Sequence, residues 1–354
     1  MRHRGACFPS MARFPPRGGQ GGVAGLQAPA WGPLDNDQGR LSLLSFPFSH
    51  GRSGVKSETE TTITRIKAAF ALAKTSKPAY GEIYPFLEAL LIAQVRAREA
   101  LKLDPVSLTQ DLVDTNWREG LPLLQRWDFP LDPDAAATIL TVVEDHLPTS
   151  NQTLRDAHRA LKQGLATHPE QQAAFWQSFL HHDWEPWEEW VPTANVDLAS
   201  LLYLARSCLR PSLEWAAEDL LRRFPLPASW KKGYCPVCGS LPSLLLLEAE
   251  GERRASCSWC ASRWGLPRLQ CPYCDNRYHE SLGYLFAEGE PSSRAHYCRL
   301  CKHYFKQLDL RERLDPPCLP LEEWTTLHLD LLAQQEGWRQ PPSPAPMVYG
   351  KGEK

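Results

Sequence analysis

Apolar residues recur at helical spacing between residues 60 and 230. The clearest stretch is 81–101, where apolar side chains fall at i, i+3, i+4, i+7, i+8 and i+12 on one helical face. They are Ile83, Phe86, Leu87, Leu90, Leu91 and Val95. Further helices are predicted over 150–167 and 169–182. The pattern therefore predicts an all-helical domain over 60–230.

Three positions give local signals for where helices begin and end. Asp132 followed by Pro133 predicts a helix start, because aspartate accepts from free amides and proline has no N–H to leave unpaired there. Pro211 predicts the end of the helix that contains Leu198, because an interior proline breaks the hydrogen-bond ladder. Ser212 is then expected to cap the next helix.

After residue 230 the pattern changes to short strands that occur in two copies. Residues 244–249 and 282–286 are predicted strands, with turns at Gly251 and Gly289. Each turn lies in an Ala-Glu-Gly-Glu segment that is followed by Arg-Ala, so the copies are repeats of one hairpin module. The modules cover residues 231–266 and 267–313, and a C-terminal helix is expected over 314–340. The predicted fold class is α+β.

Eight of the 11 cysteines lie in these modules as four CxxC pairs. The pairs are Cys235/Cys238, Cys257/Cys260, Cys271/Cys274 and Cys298/Cys301. A CxxC turn holds two sulfurs about 3.5 to 4 Å apart, and two such turns supply the four thiolates of a tetrahedral metal site. Eight thiols at this spacing predict two metal sites, each with four cysteine ligands.

The repeat favours one grouping of these cysteines over another. If each module folds as one ribbon, the first and second pairs share a site, and so do the third and fourth. A cross-braced arrangement would instead join the first pair to the third and the second to the fourth. The hairpin within each module already brings its own two turns together, so the sequential grouping is favoured.

Two further questions concern the chemistry of these cysteines: whether they form redox-active disulfides instead of metal sites, and which metal they would bind. Redox-active disulfides fit poorly, because that chemistry requires one exposed CxxC at a helix N-terminus with a lowered thiol pKa. Tetrahedral sulfur coordination suits both zinc and iron, so the spacing does not separate the two metals. Only the first pair is followed by glycine, Gly239; the others are followed by Ala261, Asp275 and Lys302.

Composition restricts the class of protein. The 354 residues are 43% apolar and 23% charged with a formal net charge of −2, which is typical of a globular protein without a polyanionic partner. Paired cysteines of this kind favour a reducing compartment, the cytoplasm. The longest aliphatic run, 244–247, is far shorter than the ~20 residues that span a bilayer, so no membrane insertion is expected. The sequence contains no recognisable catalytic triad, phosphate-binding loop or paired-acid motif, so an enzyme is not predicted.

The two ends of the chain differ from the rest. Residues 1–54 contain ten glycines and six prolines with no apolar period. We interpret residues 1–59 as a disordered tail or an extension from an upstream start codon, and 341–354 as a second disordered tail.

The cysteine motifs resemble those of a known family. They read Cys-Pro-Val-Cys-Gly-Ser-Leu-Pro from Cys235, Cys257-Ser-Trp-Cys260 with Trp264, Cys271-Pro-Tyr-Cys274, and Tyr297-Cys298-Arg-Leu-Cys301 with Tyr304 and Lys306. A C-terminal segment ending Gly337-Trp338-Arg339 extends the match. Over roughly residues 80–340 the chain is similar to the FdhE family of formate dehydrogenase accessory proteins; residues 1–54 are unmatched.

The resemblance implies an assembly factor and not a catalyst. Such a protein would be cytoplasmic, would act as a maturation chaperone, and would contact the catalytic subunit of a respiratory formate dehydrogenase. It would carry iron in two rubredoxin-like sites, with zinc as the other possibility. The eight ligands implied are the cysteines of the four pairs.

A zinc-ribbon protein that binds nucleic acid is the alternative function. Residues 231–313 contain 13 Lys and Arg against 9 Asp and Glu, a net charge of +4. The Ala-Glu-Gly-Glu turns place acids at both hairpin tips, and no basic stripe emerges, so nucleic acid is not favoured.

Overall fold

The computed structural model describes residues 57–167, 169–181, 196–311, 313 and 316–341. The expectations for the two ends, residues 1–56 and 342–354, lie outside the described residues. Within the described ranges, no helix combines the length and the apolar character needed to cross a membrane.

The first part of the described chain is helical, as predicted. Its α-helices are α1 (Glu58–Ser76), α2 (Tyr84–Glu99), α3 (Gln110–Glu119), α4 (Pro133–Val142), α5 (Gln152–Thr167), α6 (Gln172–His181) and α7 (Leu198–Arg223). α1 begins behind Ser57, whose hydroxyl accepts from the Glu60 amide at 3.2 Å. α2 buries the apolar face that the sequence indicates, including Phe86, Leu90 and Val95.

The predicted start of α4 is confirmed. Asp132 is its N-cap, and its carboxylate accepts from the Ala135 amide at 3.0 Å. Pro133 occupies the first helical position, where no N–H is needed. The helix then buries Ala136, Ile139 and Leu140 against its neighbours.

The predicted helix end at Pro211 is wrong. α7 runs for 26 residues with Pro211 inside it. Proline leaves the carbonyl four residues earlier, on Ser207, without its helical donor. The Gln94 side chain in α2 donates to that carbonyl at 2.8 Å in the buried interior. Ser212 is not a cap; its hydroxyl accepts from the Asp132 amide at 3.2 Å. Tertiary hydrogen bonds therefore replace what the proline removes.

The repeated modules form one six-stranded sheet. The strands are β1 (Pro242–Leu247), β2 (Arg253–Cys257), β3 (Arg263–Leu266), β4 (Leu282–Leu285), β5 (Ser293–Cys298) and β6 (Tyr304–Asp309). Their order is β3-β2-β1-β6-β5-β4. Each module supplies three antiparallel strands, and β1 pairs with β6 in parallel to join them.

This junction explains the aliphatic run in β1. A central strand that is covered on both faces favours a continuous apolar sequence over an alternating one. Leu244, Leu245 and Leu246 are fully buried although their side chains alternate in direction. The predicted turns lie at Gly251 and Gly289, which have φ of 77° and 82°.

The C-terminal part contains two short helices where one was expected. These are α8 (Leu319–Thr325) and α9 (Leu327–Gln335). The break is at Thr326, whose hydroxyl donates to the Glu322 carbonyl at 2.6 Å and competes with the helical ladder. The turn lets Asp330 reach the sheet, where it pairs with Lys306 at 2.7 Å and accepts from the Tyr304 hydroxyl at 2.8 Å.

The helical part and the sheet share one core. A single cluster of buried apolar residues contains Leu213 of α7 together with Val237, Leu245 and Trp264 of the first module. The first residues of that module are themselves packed. The Trp264 indole donates to the Lys232 carbonyl at 2.9 Å, and a Cβ on Gly233 would collide with the Pro272 carbonyl.

Candidate metal centre

The four CxxC turns have the same backbone geometry. In each, the amide of the first cysteine donates to the carbonyl five residues on, at 2.8 to 2.9 Å. The residue after the second cysteine is left-handed in every turn: Gly239 (φ 73°), Ala261 (56°), Asp275 (55°) and Lys302 (64°). This conformation costs a non-glycine residue roughly 1–2 kcal/mol. Three of the four turns therefore contain a strained residue. The shared backbone geometry directs both thiols of a pair toward the same point.

The first site comprises Cys235, Cys238, Cys257 and Cys260, which are all buried. The Sγ atoms of Cys235 and Cys260 are 3.6 Å apart, those of Cys238 and Cys257 are 3.4 Å apart, and those of Cys260 and Cys238 are 3.6 Å apart. Four sulfurs bonded to a tetrahedral metal at ~2.3 Å lie about 3.8 Å from one another. The spacing is therefore close to that of a metal site with four thiolate ligands.

The second site comprises Cys271, Cys274, Cys298 and Cys301. The Cys271 and Cys301 sulfurs are 3.6 Å apart, and those of Cys274 and Cys298 are 3.8 Å apart. Cys274 and Cys301 are only partly buried. Each site thus gathers the two pairs of one module, which is the sequential grouping and not the cross-brace.

The thiols of each site influence one another's ionisation. Burial raises the pKa of Cys235 and Cys260 well above the ordinary value. Burial also opposes ionisation of Cys238, but hydrogen bonds from its three neighbours hold its pKa well below the ordinary value. In the second site, hydrogen bonds overcome burial and lower the pKa of Cys298 to about 7.

This donor set fits a metal cation. All ten cysteines in the described residues are free, so no disulfide accounts for the close sulfurs. Buried thiols that share protons are poised to lose them to a thiophilic divalent ion, because thiolates are the form that binds metal. Zinc and iron both take four sulfurs in this arrangement.

The helical part covers the first site. The Leu123 and Leu124 amides donate to the carbonyls of Pro236 and Val237 at 3.1 and 2.8 Å. The Trp117 indole donates to the same Pro236 carbonyl at 3.2 Å. These bonds dock the segment between α3 and α4 on the first CxxC turn.

An arginine from the same segment lies over the second turn of this site. The Arg126 guanidinium is 4.3 Å from the centroid of the Trp259 ring, and it donates to the Ser240 hydroxyl at 3.4 Å. The Phe179 ring stacks on Trp259 at 5.9 Å. Arg126 is buried, so its charge lies in a dry environment beside the thiols.

The second site has a different environment. The Asn276 side-chain amide donates to the Cys298 sulfur at 3.3 Å. The Tyr273 ring contacts His303 at 4.0 Å, and Tyr297 stacks on Trp338 at 4.1 Å. Among the described residues, the helical part contributes no comparable cover, so this site lies nearer to solvent.

Comparisons with known proteins find similarity to FdhE proteins. No protein-family model matches the chain. An FdhE homologue from Aquifex aeolicus is 37% identical over 114 residues, which cover 31% of this chain and 40% of that protein. The FdhE protein of Escherichia coli is 25% identical over 274 residues, 75% of this chain and 77% of that protein.

The crystal structure of the FdhE protein from Pseudomonas aeruginosa has the same fold. The two structures align with a TM-score of 0.55 at 21% sequence identity, over 83% of this chain and 97% of that one. The chain is thus similar to FdhE proteins in sequence and in fold.

Coverage of the relatives is uneven. The matched segment spans about two fifths of the Aquifex aeolicus protein's length, and 43% of an FdhE homologue from Haemophilus influenzae. The match to the Pseudomonas aeruginosa FdhE structure, in contrast, spans nearly all of that protein. That likeness extends to the helical part as well as the modules.

Sequence reasoning located the cysteines but missed Arg126 and Asn276, which lie beside them. Arg126 lies more than 100 positions from the cysteines that it approaches, and no spacing rule connects them. Asn276 immediately follows Asp275, so its place beside a CxxC turn was a usable signal for a donor to sulfur. The left-handed conformation of Ala261 and Lys302 was not predictable, because glycine is the residue type that normally indicates a positive φ.

Proposed function

We propose that this chain is a member of the FdhE family and an accessory protein for the assembly of a respiratory formate dehydrogenase. It binds the enzyme's catalytic subunit in the cytoplasm and performs no catalysis of its own. The observation that carries the proposal is the pair of four-cysteine clusters, built with near-tetrahedral sulfur spacing on a fold of the FdhE type.

The eight cysteines of the four pairs are the proposed metal ligands, and iron is the proposed metal. An iron ion held by four thiolates exchanges one electron without changing its ligands, whereas zinc in the same place would be structural only. The chain's own contribution is to hold four sulfurs in place before metal arrives. The left-handed residue in each turn and the Asn276 donor to Cys298 both serve that purpose.

The metal also has a role in stability. Each module is small, and its sulfurs would repel one another as thiolates if no cation were present. Structural metal binding supplies about 10–16 kcal/mol in comparable zinc peptides. We therefore propose that metal stabilises the sheet, whose first module shares an apolar core with the helical part.

The test is affinity capture of the full chain from cells grown with formate, with metal analysis of the same sample. We expect co-purification of the formate dehydrogenase catalytic subunit and iron in the captured protein. Colour in the oxidised sample separates iron from zinc. Failure to recover the subunit while it is expressed would refute the accessory function. Salt-sensitive binding of DNA or RNA by the same sample would favour the zinc-ribbon alternative.

A further inference from the structure

The internal repeat lets one metal module serve as a reference for the other. Val237 in the first turn of module one corresponds to Tyr273 in module two, and Trp259 in the second turn corresponds to Leu300. All four side chains project from CxxC turns and are apolar or aromatic. The two modules differ in what covers these positions.

In module one both positions are covered. Val237 is fully buried and Trp259 is 7% exposed. The cover is a short segment of the helical part, in which consecutive amides of Leu123 and Leu124 donate to the first turn. Arg126 and Phe179 then close over the Trp259 ring. An extended segment with an apolar and a charged side chain is thus the cover that this kind of turn accepts.

In module two the same positions face solvent. Tyr273 is 42% exposed and Leu300 is 68% exposed, and nearby Tyr278 is 78% exposed. Among the backbone hydrogen bonds of the described residues, none ends on the Tyr273 carbonyl, the counterpart of the Val237 carbonyl that Leu124 engages. Clustered exposed apolar side chains of this kind mark interaction surfaces.

The charges at this surface also differ between the modules. Arg299 and Lys302 are exposed at positions where module one has the neutral Ser258 and Ala261. The acid in these turns, Asp275, accepts from the Gln270 amide at 2.7 Å. Module one receives its cation, Arg126, from the segment that covers it. Module two already carries cations on its own surface. Because charges across an interface are complementary, a segment that covers module two is expected to carry carboxylates.

We propose that the second-site surface (Tyr273, Tyr278, Arg299, Leu300 and Lys302) binds an extended segment of the client protein, in which an apolar side chain is flanked by carboxylates. The proposal rests on the accessory function above and places the client at the second metal site. The bound segment covers Cys274 and Cys301 as residues 123–126 cover the first site. Binding therefore removes the second site from solvent, which limits metal loss and oxidation while the client is held.

The proposal is tested by titrating the metal-loaded full chain with the purified formate dehydrogenase catalytic subunit. Leu300→Ser and Arg299→Glu are each expected to weaken binding about tenfold or more, and added salt is expected to shrink the Arg299→Glu effect. Leu72→Ser and Lys67→Glu are the matched controls, since both residues are exposed on α1, and their affinity is expected to be unchanged. Two metal ions per chain in each variant show that the sites are intact.

The outcomes separate the two proposals. Binding by the wild type and by Leu300→Ser with affinities within twofold would overturn the surface and leave the accessory function standing. No binding by the wild type would overturn the accessory function, and the surface with it. A wild-type dimer in sedimentation that Leu300→Ser converts to a monomer, with client binding unchanged, would assign the surface to a second copy of the chain and overturn the client proposal.

Discussion

Replacing Arg126 by methionine should weaken metal binding at the first site alone. A divalent metal with four thiolates carries a charge of −2, and Arg126 is a buried cation beside that centre, 4.3 Å from the Trp259 ring. Burial lowers the pKa of Arg126, and the nearby Cys238 and Cys257 oppose that shift. Methionine keeps the apolar stem but leaves the centre's negative charge without this compensation.

The size of the effect follows from the environment. Loss of a partner in the outer shell of a metal site typically costs about 10- to 100-fold in metal affinity. That corresponds to about 1.4–2.7 kcal/mol. A desolvated cation–π contact is worth about 2 kcal/mol, so loss of the Trp259 contact also lowers the stability of the fold by a separate amount of about that size. Arg126→Lys keeps the charge but loses the planar stacking on Trp259. Its metal affinity at the first site should therefore lie between those of the wild type and Arg126→Met.

The assay is competition for metal by a chromophoric chelator, followed to completion on the folded chain. The wild type should release metal to the chelator first from the partly exposed second site. In Arg126→Met, the first site should release its metal about as readily as the second site, or more readily. Lys302→Met, in a turn of the second site, is the matched control and should leave release from the first site unchanged. Equal weakening of both sites by Arg126→Met, or no weakening, would refute this reasoning.

Further expectations concern the fold that carries the sites. Gln94→Leu should lower the free energy of unfolding by about 1–3 kcal/mol in denaturant, because it leaves the Ser207 carbonyl without a donor. In a Pro211→Ala background the restored backbone amide supplies that donor, so the cost of Gln94→Leu should be clearly smaller. Equal costs in the two backgrounds would contradict the hydrogen-bond account. Lys306→Met should cost about 3–5 kcal/mol by leaving Asp330 buried without its cation, and a double variant with Asp330→Leu should recover part of that loss. Burial raises the pKa of the Cys208 thiol to about 12, so above about pH 9 only the unfolded thiol ionises and stability falls as pH rises. Cys208→Ala should flatten that fall between about pH 9 and 11, and an unchanged slope would contradict it.

Periodicity and repetition made much of this architecture predictable. The stripe in 81–101 identified α2 because helical spacing on one face needs no knowledge of the partner. The Asp132–Pro133 start was equally local, since capping involves residues only three apart. The duplicated Ala-Glu-Gly-Glu turns indicated which cysteine pairs meet, and the structure brings those pairs together.

Features that depend on distant residues were not predictable. Pro211 reads as a helix end unless Gln94, more than 100 residues away, is known to satisfy the exposed carbonyl. The parallel pairing of β1 with β6 joins the first and last strands of the modules, and hairpin signals describe only neighbours. Arg126 reaches the first site because the helical part docks there, which no motif near the cysteines records.

The central claim is that each four-cysteine cluster holds one metal ion, and metal analysis of anaerobically purified protein tests it most directly. The account predicts two ions per chain in the wild type. It predicts one ion in Cys257→Ser, which empties the first site, and one in Cys298→Ser, which empties the second. A folded chain with a metal content near zero and eight titratable thiols in these turns would contradict the account.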